Sequence, residues 1–318
     1  MKPPLIVIVG ATAVGKTETA IQLAERLNGE IVSADSRLFY RGMDIGTAKP
    51  TLAEQTRVPH HLIDAANPDE TWSLTVFQQR AREAIADIHA RGKLPFLVGG
   101  TGQYIRAVTE GWKPPEVKPD SRMRDELEKL ALSKVEGLKE ERGKEWLHEK
   151  LKSLDPMAAE KIDPRNVRRT IRALEVILTT GRKFSEQRGQ GESPYRLITI
   201  GLTRPRAELY TRIDARIEAM FAAGLLDEVR ALLAAPRGYS AELPSMSGIG
   251  YRECCRVVKG ELSEEQAKVE MRRATRIFVR RQANWFKESD PNIHWFEAGG
   301  QDAVAQIEPV IRAFLKNN

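Results

Sequence analysis

The chain has 318 residues, 41% of them hydrophobic, enough to bury a large core and to build two domains. No apolar run approaches the ~20 residues that span a bilayer, and the first one leads straight into a glycine-rich loop, so neither a membrane segment nor a targeting signal is expected and a cytoplasmic protein is. The net charge of +6 leaves polyanionic partners open without requiring them, and the two cysteines, Cys254 and Cys255, are adjacent and offer neither a disulfide frame nor a zinc spacing.

In chain order, residues 5–9 (LIVIV) read as a buried strand. Gly10-Ala11-Thr12-Ala13-Val14-Gly15-Lys16-Thr17 follows as a complete phosphate-binding loop. Its glycines let backbone amides approach phosphate oxygens at a helix N-terminus, Lys16 supplies charge, and the Thr17 hydroxyl suits Mg²⁺. Residues 17–27 read as a helix stopped by Asn28-Gly29, residues 30–34 as a second strand ending in Asp35-Ser36. Residues 73–91 carry Leu74, Phe77, Ala81, Ile85 and Ile88 at helical spacing, and residues 94–98 form a third strand running into Gly99-Gly100-Thr101-Gly102. Lys113-Pro114-Pro115 and Lys118-Pro119-Asp120 then punctuate a boundary, after which residues 121–181 are charged and helix-patterned without a strand. Residues 196–202 return to strand character; 209–233 and 263–287 read as long helices, and 296–318 as a last strand or loop and a terminal helix. The pattern predicts an α/β fold: a P-loop NTPase-like parallel sheet flanked by helices, formed by residues 1–115 and 185–318, with an inserted all-helical domain over residues 116–184. Ligands of such sheets bind beyond the carboxyl ends of the strands, so the phosphate loop, Asp35-Ser36 and Gly99–Thr101 should converge.

Asp35 can bind Mg²⁺, take a proton from a nucleophile, or serve as an ordinary turn or helix-capping residue. Where phosphoryl-transfer enzymes place a magnesium-binding acid, this chain has Gly99-Gly100-Thr101, which suggests room for a bulky substrate and a hydroxyl donor. That departure argues against a small-molecule or nucleotide kinase, which the loop alone would favour; a non-catalytic RNA-binding NTPase is the third reading. Arg272, Arg276 and Arg280 fall at i, i+4, i+8 and suggest a polyanion-binding helix face, although a solvated face has the same spacing. His60-His61 lack a third partner for a metal, and Trp285-Phe286 are expected to pack in the core.

The loop, Asp35-Ser36 and the string Tyr40-Arg41-Gly42-Met43-Asp44-Ile45-Gly46-Thr47-Ala48-Lys49-Pro50 together resemble the bacterial tRNA dimethylallyltransferases, or tRNA isopentenyltransferases. Val58–Asp64, Val98–Tyr104, Asn166-Val167-Arg168-Arg169, Gly248-Ile249-Gly250-Tyr251 and Arg281-Gln282-Ala283-Asn284-Trp285 fit the same family, so the resemblance spans about residues 5 to 290. It implies transfer of a dimethylallyl group from dimethylallyl diphosphate to N6 of the adenine at tRNA position 37, beside the anticodon. In that reading Gly10 to Thr17 hold the donor's diphosphate with Mg²⁺ on Thr17, Arg216 is a second phosphate clamp, and Lys16 stabilises the leaving pyrophosphate. Asp35 is implied as general base and Thr101 as a hydroxyl near the reacting atoms. The tRNA anticodon stem-loop would be contacted by Asp35, Ser36, Arg37, Leu38, Thr101, Met123, Arg165, Asn166, Val167, Arg168 and Arg169, with the target base flipped from its stack. The family implies no zinc here, and a monomer is expected.

Overall fold

The computed structural model describes residues 2–115, 117, 120–132, 141–187, 189–298 and 303–317. The chain forms two compact units, Met1–Thr109 with Ser193–Asn318, and Glu110–Glu192.

The first unit opens with β1 (Pro4–Gly10), α1 (Lys16–Arg26), β2 (Gly29–Ser33), the two-residue β3 (His60–His61), α2 (Leu74–Ala90), β4 (Leu94–Gly99) and α3 (Gly102–Thr109). Residues 5–9 are fully buried, as expected of a strand covered by helices on both faces. The apolar stripe of α2 is real: Phe77, Ala81, Ile85 and Ile88 are all buried. Ser73 caps α2 by accepting a hydrogen bond from the Val76 amide at 3.2 Å, satisfying a first-turn donor.

The contiguous second unit carries α4 (Ser121–Leu132), α5 (Glu141–Leu154), α6 (Pro156–Lys161) and α7 (Val167–Thr180). Leu147, Leu151, Ile162, Ile171 and Leu174 build a core of its own. Trp112–Lys113 pairs antiparallel with Gly189–Gln190 as a short ribbon. Asp155 caps α6 and Asn166 caps α7 with their side chains. Buried Glu175 is held by Arg124 at 2.7 Å and Arg172 at 2.6 Å. Burial alone would raise its pKa, but the two arginines outweigh that and lower it. The Lys118-Pro119 punctuation and the expected boundary at residue 116 lie outside the described residues.

The chain then rejoins the first unit with β5 (Arg196–Thr203), α8 (Arg206–Ala222), α9 (Leu225–Leu233), α10 (Tyr251–Val258), α11 (Glu264–Ala283), β6 (Ile293–Glu297) and α12 (Ala303–Lys316). The sheet order is β3-β2-β4-β1-β5-β6 and every pairing is parallel. The fold is the P-loop NTPase-like sheet that the sequence predicts. Two expected helices are shorter than their patterns. Residues 209–233 break into α8 and α9 at Gly224, whose φ of +94° lies in the left-handed region that ends a helix. The helix expected over 263–287 stops at Ala283, after starting at a Ser263–Gln266 capping box. Among the described residues no helix is long and apolar enough to cross a membrane.

Candidate functional site

The phosphate loop joins β1 to α1. Gly15, at φ +116°, stands at the N-cap with no side-chain cap, so the opening amides of α1 carry no side-chain partner and present the positive end of the helix dipole. Lys16 Nζ donates to the carbonyls of Gly10 at 3.1 Å and Ala11 at 2.8 Å. Burial pushes its pKa down to about 8, Asp35 opposes that, and Arg216 adds to it. Lys16, Asp35 and Arg216 thus share one electrostatic environment. The Thr17 side chain is exposed and makes no hydrogen bond with a described residue.

Arg204, Arg212 and Gln282 brace this loop; Gln282 stands in the family-like Arg281–Trp285 motif, and the motifs imply no role for any of the three. Arg212 Nε donates to Ala13 O at 2.9 Å, and Arg204 Nε donates to Val14 O at 2.8 Å. Gln282 Oε1 accepts from the Thr12 amide at 2.8 Å while its Nε2 donates to Gly100 O at 3.1 Å. Arg216 lies one helical turn beyond Arg212 on α8 and forms no hydrogen bond or ion pair with a described residue. Burial and then the charge of Arg212 lower its pKa. A half-buried guanidinium without a counter-ion beside a phosphate loop suits an anion.

The expected convergence of loops is present. Asp35 Oδ1 accepts from the Arg37 amide at 2.9 Å, so the residue does form a turn; its other oxygen accepts no hydrogen bond from a described residue. Thr101 Oγ1 accepts from the Ser36 amide at 3.2 Å, and the Thr101 amide donates to Ala34 O at 3.4 Å. The glycines beside Thr101 do not make room for substrate, contrary to expectation. A Cβ on Gly99 would lie 2.3 Å from Ala34 O, one on Gly100 2.2 Å from Gln282 Nε2, and one on Gly102 2.3 Å from Trp285. They permit close approach of backbone and side chains.

Beside Asp35 an aromatic cluster forms, with Phe39 stacked on Trp72 at 4.3 Å and Phe77 on Tyr104 at 4.0 Å. The string from Gly42 to Pro50 is held by Glu228, whose carboxylate accepts from the amides of Asp44 (2.9 Å), Ile45 (2.8 Å) and Gly46 (3.3 Å) and from the Tyr251 hydroxyl (2.6 Å). Lys49 bridges Asp44 and Asp64 at 2.5 Å each. Glu228 had no signal in the sequence; Tyr251 lay in a quoted motif without a role.

The candidate tRNA contacts differ in how far their chemistry is already engaged. Arg37 donates to Pro244 O at 2.7 Å, Ser245 O at 2.9 Å and Ser247 Oγ at 3.2 Å, so its guanidinium anchors that loop. Leu38 is half-buried, its carbonyl accepting from Asp64. In the second unit Met123 is half-buried at the start of α4, its amide bound to Asp120 Oδ1 at 3.0 Å. Arg165 pairs with Asp163 at 2.7 Å, Asn166 is a cap, and Val167 packs on the core. Arg168 and Arg169 are exposed and unpaired among the described residues.

The arginine stripe of α11 is corrected. Arg272 pairs with Glu218, and Arg276 with Asp214 at 2.7 Å while lying over the Tyr210 ring at 4.9 Å. Both therefore tie α11 to α8, and only Arg280 of the three remains exposed. His61 binds buried Glu30 at 2.7 Å and His60 binds Val58 O at 2.7 Å, which accounts for the pair. Among the described residues no group of three His, Cys, Asp or Glu side chains could hold a metal. Phe286 is buried and Trp285 packs against the core.

The model of the family described as IPP transferase matches residues 38–289. The chain belongs to the IPP transferase family. A second model, isopentenyl transferase, matches residues 3–65 and includes the phosphate loop and Asp35. A protein of Roseiflexus sp. (strain RS-1) named tRNA dimethylallyltransferase is 52% identical, covering 98% of this chain and 99% of the relative. The crystal structure of the tRNA isopentenylpyrophosphate transferase from Bacillus halodurans is 41% identical with a TM-score of 0.72, over 99% of this chain and 97% of that one. A eukaryotic dimethylallyltransferase captured acting on tRNA shares 26% identity and a TM-score of 0.78, over 99% of this chain and 80% of that one. The resemblance seen in the motifs thus extends over the whole family match, and the family is one of enzymes.

Proposed function

We propose that this protein transfers a dimethylallyl group from dimethylallyl diphosphate to N6 of the adenine just 3′ of the anticodon in tRNA, releasing pyrophosphate. The observation that carries the reading is the meeting of an anion cradle and a carboxylate: Lys16 and Arg216 beside the phosphate loop, with Asp35 close enough to act on the Lys16 charge. That arrangement serves a reaction in which negative charge builds on one side while a proton leaves on the other.

The loop amides, Lys16 and Arg216 hold the diphosphate and stabilise it as the allylic C–O bond breaks. N6 is a poor nucleophile because its lone pair is delocalised into the ring. Asp35, with one oxygen fixed in the turn and the other open, takes the N6 proton as the new C–N bond forms. Thr101 orients the Asp35-Ser36 turn through the Ser36 amide. The exposed Thr17 hydroxyl is a hard oxygen donor of the kind Mg²⁺ prefers, and a bound Mg²⁺ would neutralise charge on the departing pyrophosphate. Arg168 and Arg169 sit in the first turn of α7, where the helix dipole disfavours cations unless an anion is near, which suits tRNA phosphate.

The test is to incubate the protein with Mg²⁺, dimethylallyl diphosphate and tRNA, then digest the tRNA and weigh its nucleosides. One adenosine per substrate tRNA should gain the mass of an isoprene unit. Unmodified nucleosides, or phosphate appearing on a nucleoside in the presence of ATP, would overturn the reading.

A further inference from the structure

The side chain of Gln282 is buried, and its amide makes both of its hydrogen bonds to backbone of segments remote in sequence. The Thr12 N–H is a donor and the Gly100 carbonyl an acceptor, so the orientation of the amide is fixed: Oε1 toward the phosphate loop, Nε2 toward the loop after β4. Four further contacts extend the bridge. The Thr101 amide binds Ala34 O, and Thr101 Oγ1 binds the Ser36 amide, so the turn that carries Asp35 hangs on the same loop that Gln282 holds. Trp285, just past the end of α11, fills the space over Gly102, and Arg106 donates to Trp285 O at 3.3 Å, so the segment after α11 is packed on this loop as well. Thr12 precedes the amides that open α1, and Gln282 bonds to none of those amides.

We propose that Gln282 is a positioning residue for the transfer reaction: its amide sets the separation between the phosphate loop and the Asp35–Ser36 turn. The role rests on the reading of the site given under Proposed function. One end of the reacting system is the diphosphate on the loop, the other is the base on the turn. A rigid amide between them holds the allylic carbon and the N6 proton in register, which matters because an error of about 1 Å in such a geometry can cost on the order of a hundredfold in rate. The bridge also explains Gly100 as a requirement of the amide: a Cβ there would stand 2.2 Å from Nε2.

Two variants remove the bridge from opposite ends. Gln282→Met keeps the shape and loses both hydrogen bonds; Gly100→Ala pushes the amide away without altering Gln282. Steady-state prenyl transfer to tRNA, its pH profile, and calorimetric binding of inorganic pyrophosphate with Mg²⁺ are measured on the full chain. In both variants kcat should fall by roughly ten- to a hundredfold, with the donor KM and pyrophosphate affinity within about threefold of wild type and the acidic limb of the pH profile unmoved. Transfer at the wild-type rate by both folded variants would overturn the proposal. Loss of pyrophosphate binding in step with kcat, or failure of both variants to fold, would make Gln282 a scaffold residue and equally overturn it. If wild-type protein binds pyrophosphate but transfers nothing to tRNA, the reading of the site itself fails and the positioning role goes with it.

Discussion

Two arginine groups look alike on paper and are used in opposite ways. On α11, Arg272 and Arg276 turn inward to Glu218 and Asp214 of α8 and hold two helices together. On α7, Arg168 and Arg169 are exposed and have no carboxylate partner among the described residues, although the start of a helix is an unfavourable place for a cation. The lesson is that periodicity locates a charged face but not its partner. A closed charge supports the fold; an open one is available to a ligand. The same division runs through the site, where Arg204, Arg212 and Glu228 are closed and Asp35, Lys16 and Arg216 are at least partly open.

The hardest test of this division is Asp35→Asn. If the open carboxylate oxygen is the base, transfer should fall by about a hundredfold to ten-thousandfold while tRNA binding, read by filter retention, persists. Retained turnover would place Asp35 among the closed, structural carboxylates.

Lys16 offers a second, intermediate test. Its pKa is lowered to about 8, chiefly by burial, so its charge is full below that value and is lost as pH rises through it. Pyrophosphate affinity should therefore fall between about pH 7 and pH 9, by up to tenfold per unit beyond the pKa, and Lys16→Met should bind more weakly at neutral pH with no such limb. A flat wild-type profile would show that the ammonium does not titrate in this range. For stability the sign is opposite: the cost of burying the charged ammonium is relieved as pH rises from about 8 toward 10.5.

The smallest effects sharpen the comparison most directly. Arg168→Ala and Arg169→Ala should each lower the slope of log affinity for tRNA against log salt by about 0.7 to 0.9, with unchanged thermal unfolding. Arg272→Ala should leave the slope alone and cost up to about 1 kcal/mol in urea unfolding, as a partly exposed ion pair does. A reversal of these two signatures would dissolve the distinction.

What the sequence made legible was local. The phosphate loop, the strand runs and the helix starts at Ser73 and Ser263 depend on residues within a few positions, so their pattern is their structure. The break at Gly224 was hidden because apolar residues continue at helical spacing on both sides of it. Gly99 and Gly100 suggest open space in the sequence, whereas Ala34 and Gln282 fill it; a glycine signals proximity without naming what comes near. Gln282 and Glu228 reach partners more than 180 positions away, beyond any local pattern.

The split of the first unit around the second has a consequence for the order in which the protein comes into being. β1 is a central strand, bonded on one edge to β4 and on the other to β5. Its first edge can close once residue 99 has been made, but the second must wait for residues 196–203, after the whole of Glu110–Glu192 has been synthesised. The inserted unit, contiguous and helical, has all of its partners sooner and by short-range contacts, so it should fold from the ribosome first. The part of the chain made earliest is then the last to be finished, and the phosphate loop is braced only when Arg204, Arg212 and Gln282 arrive.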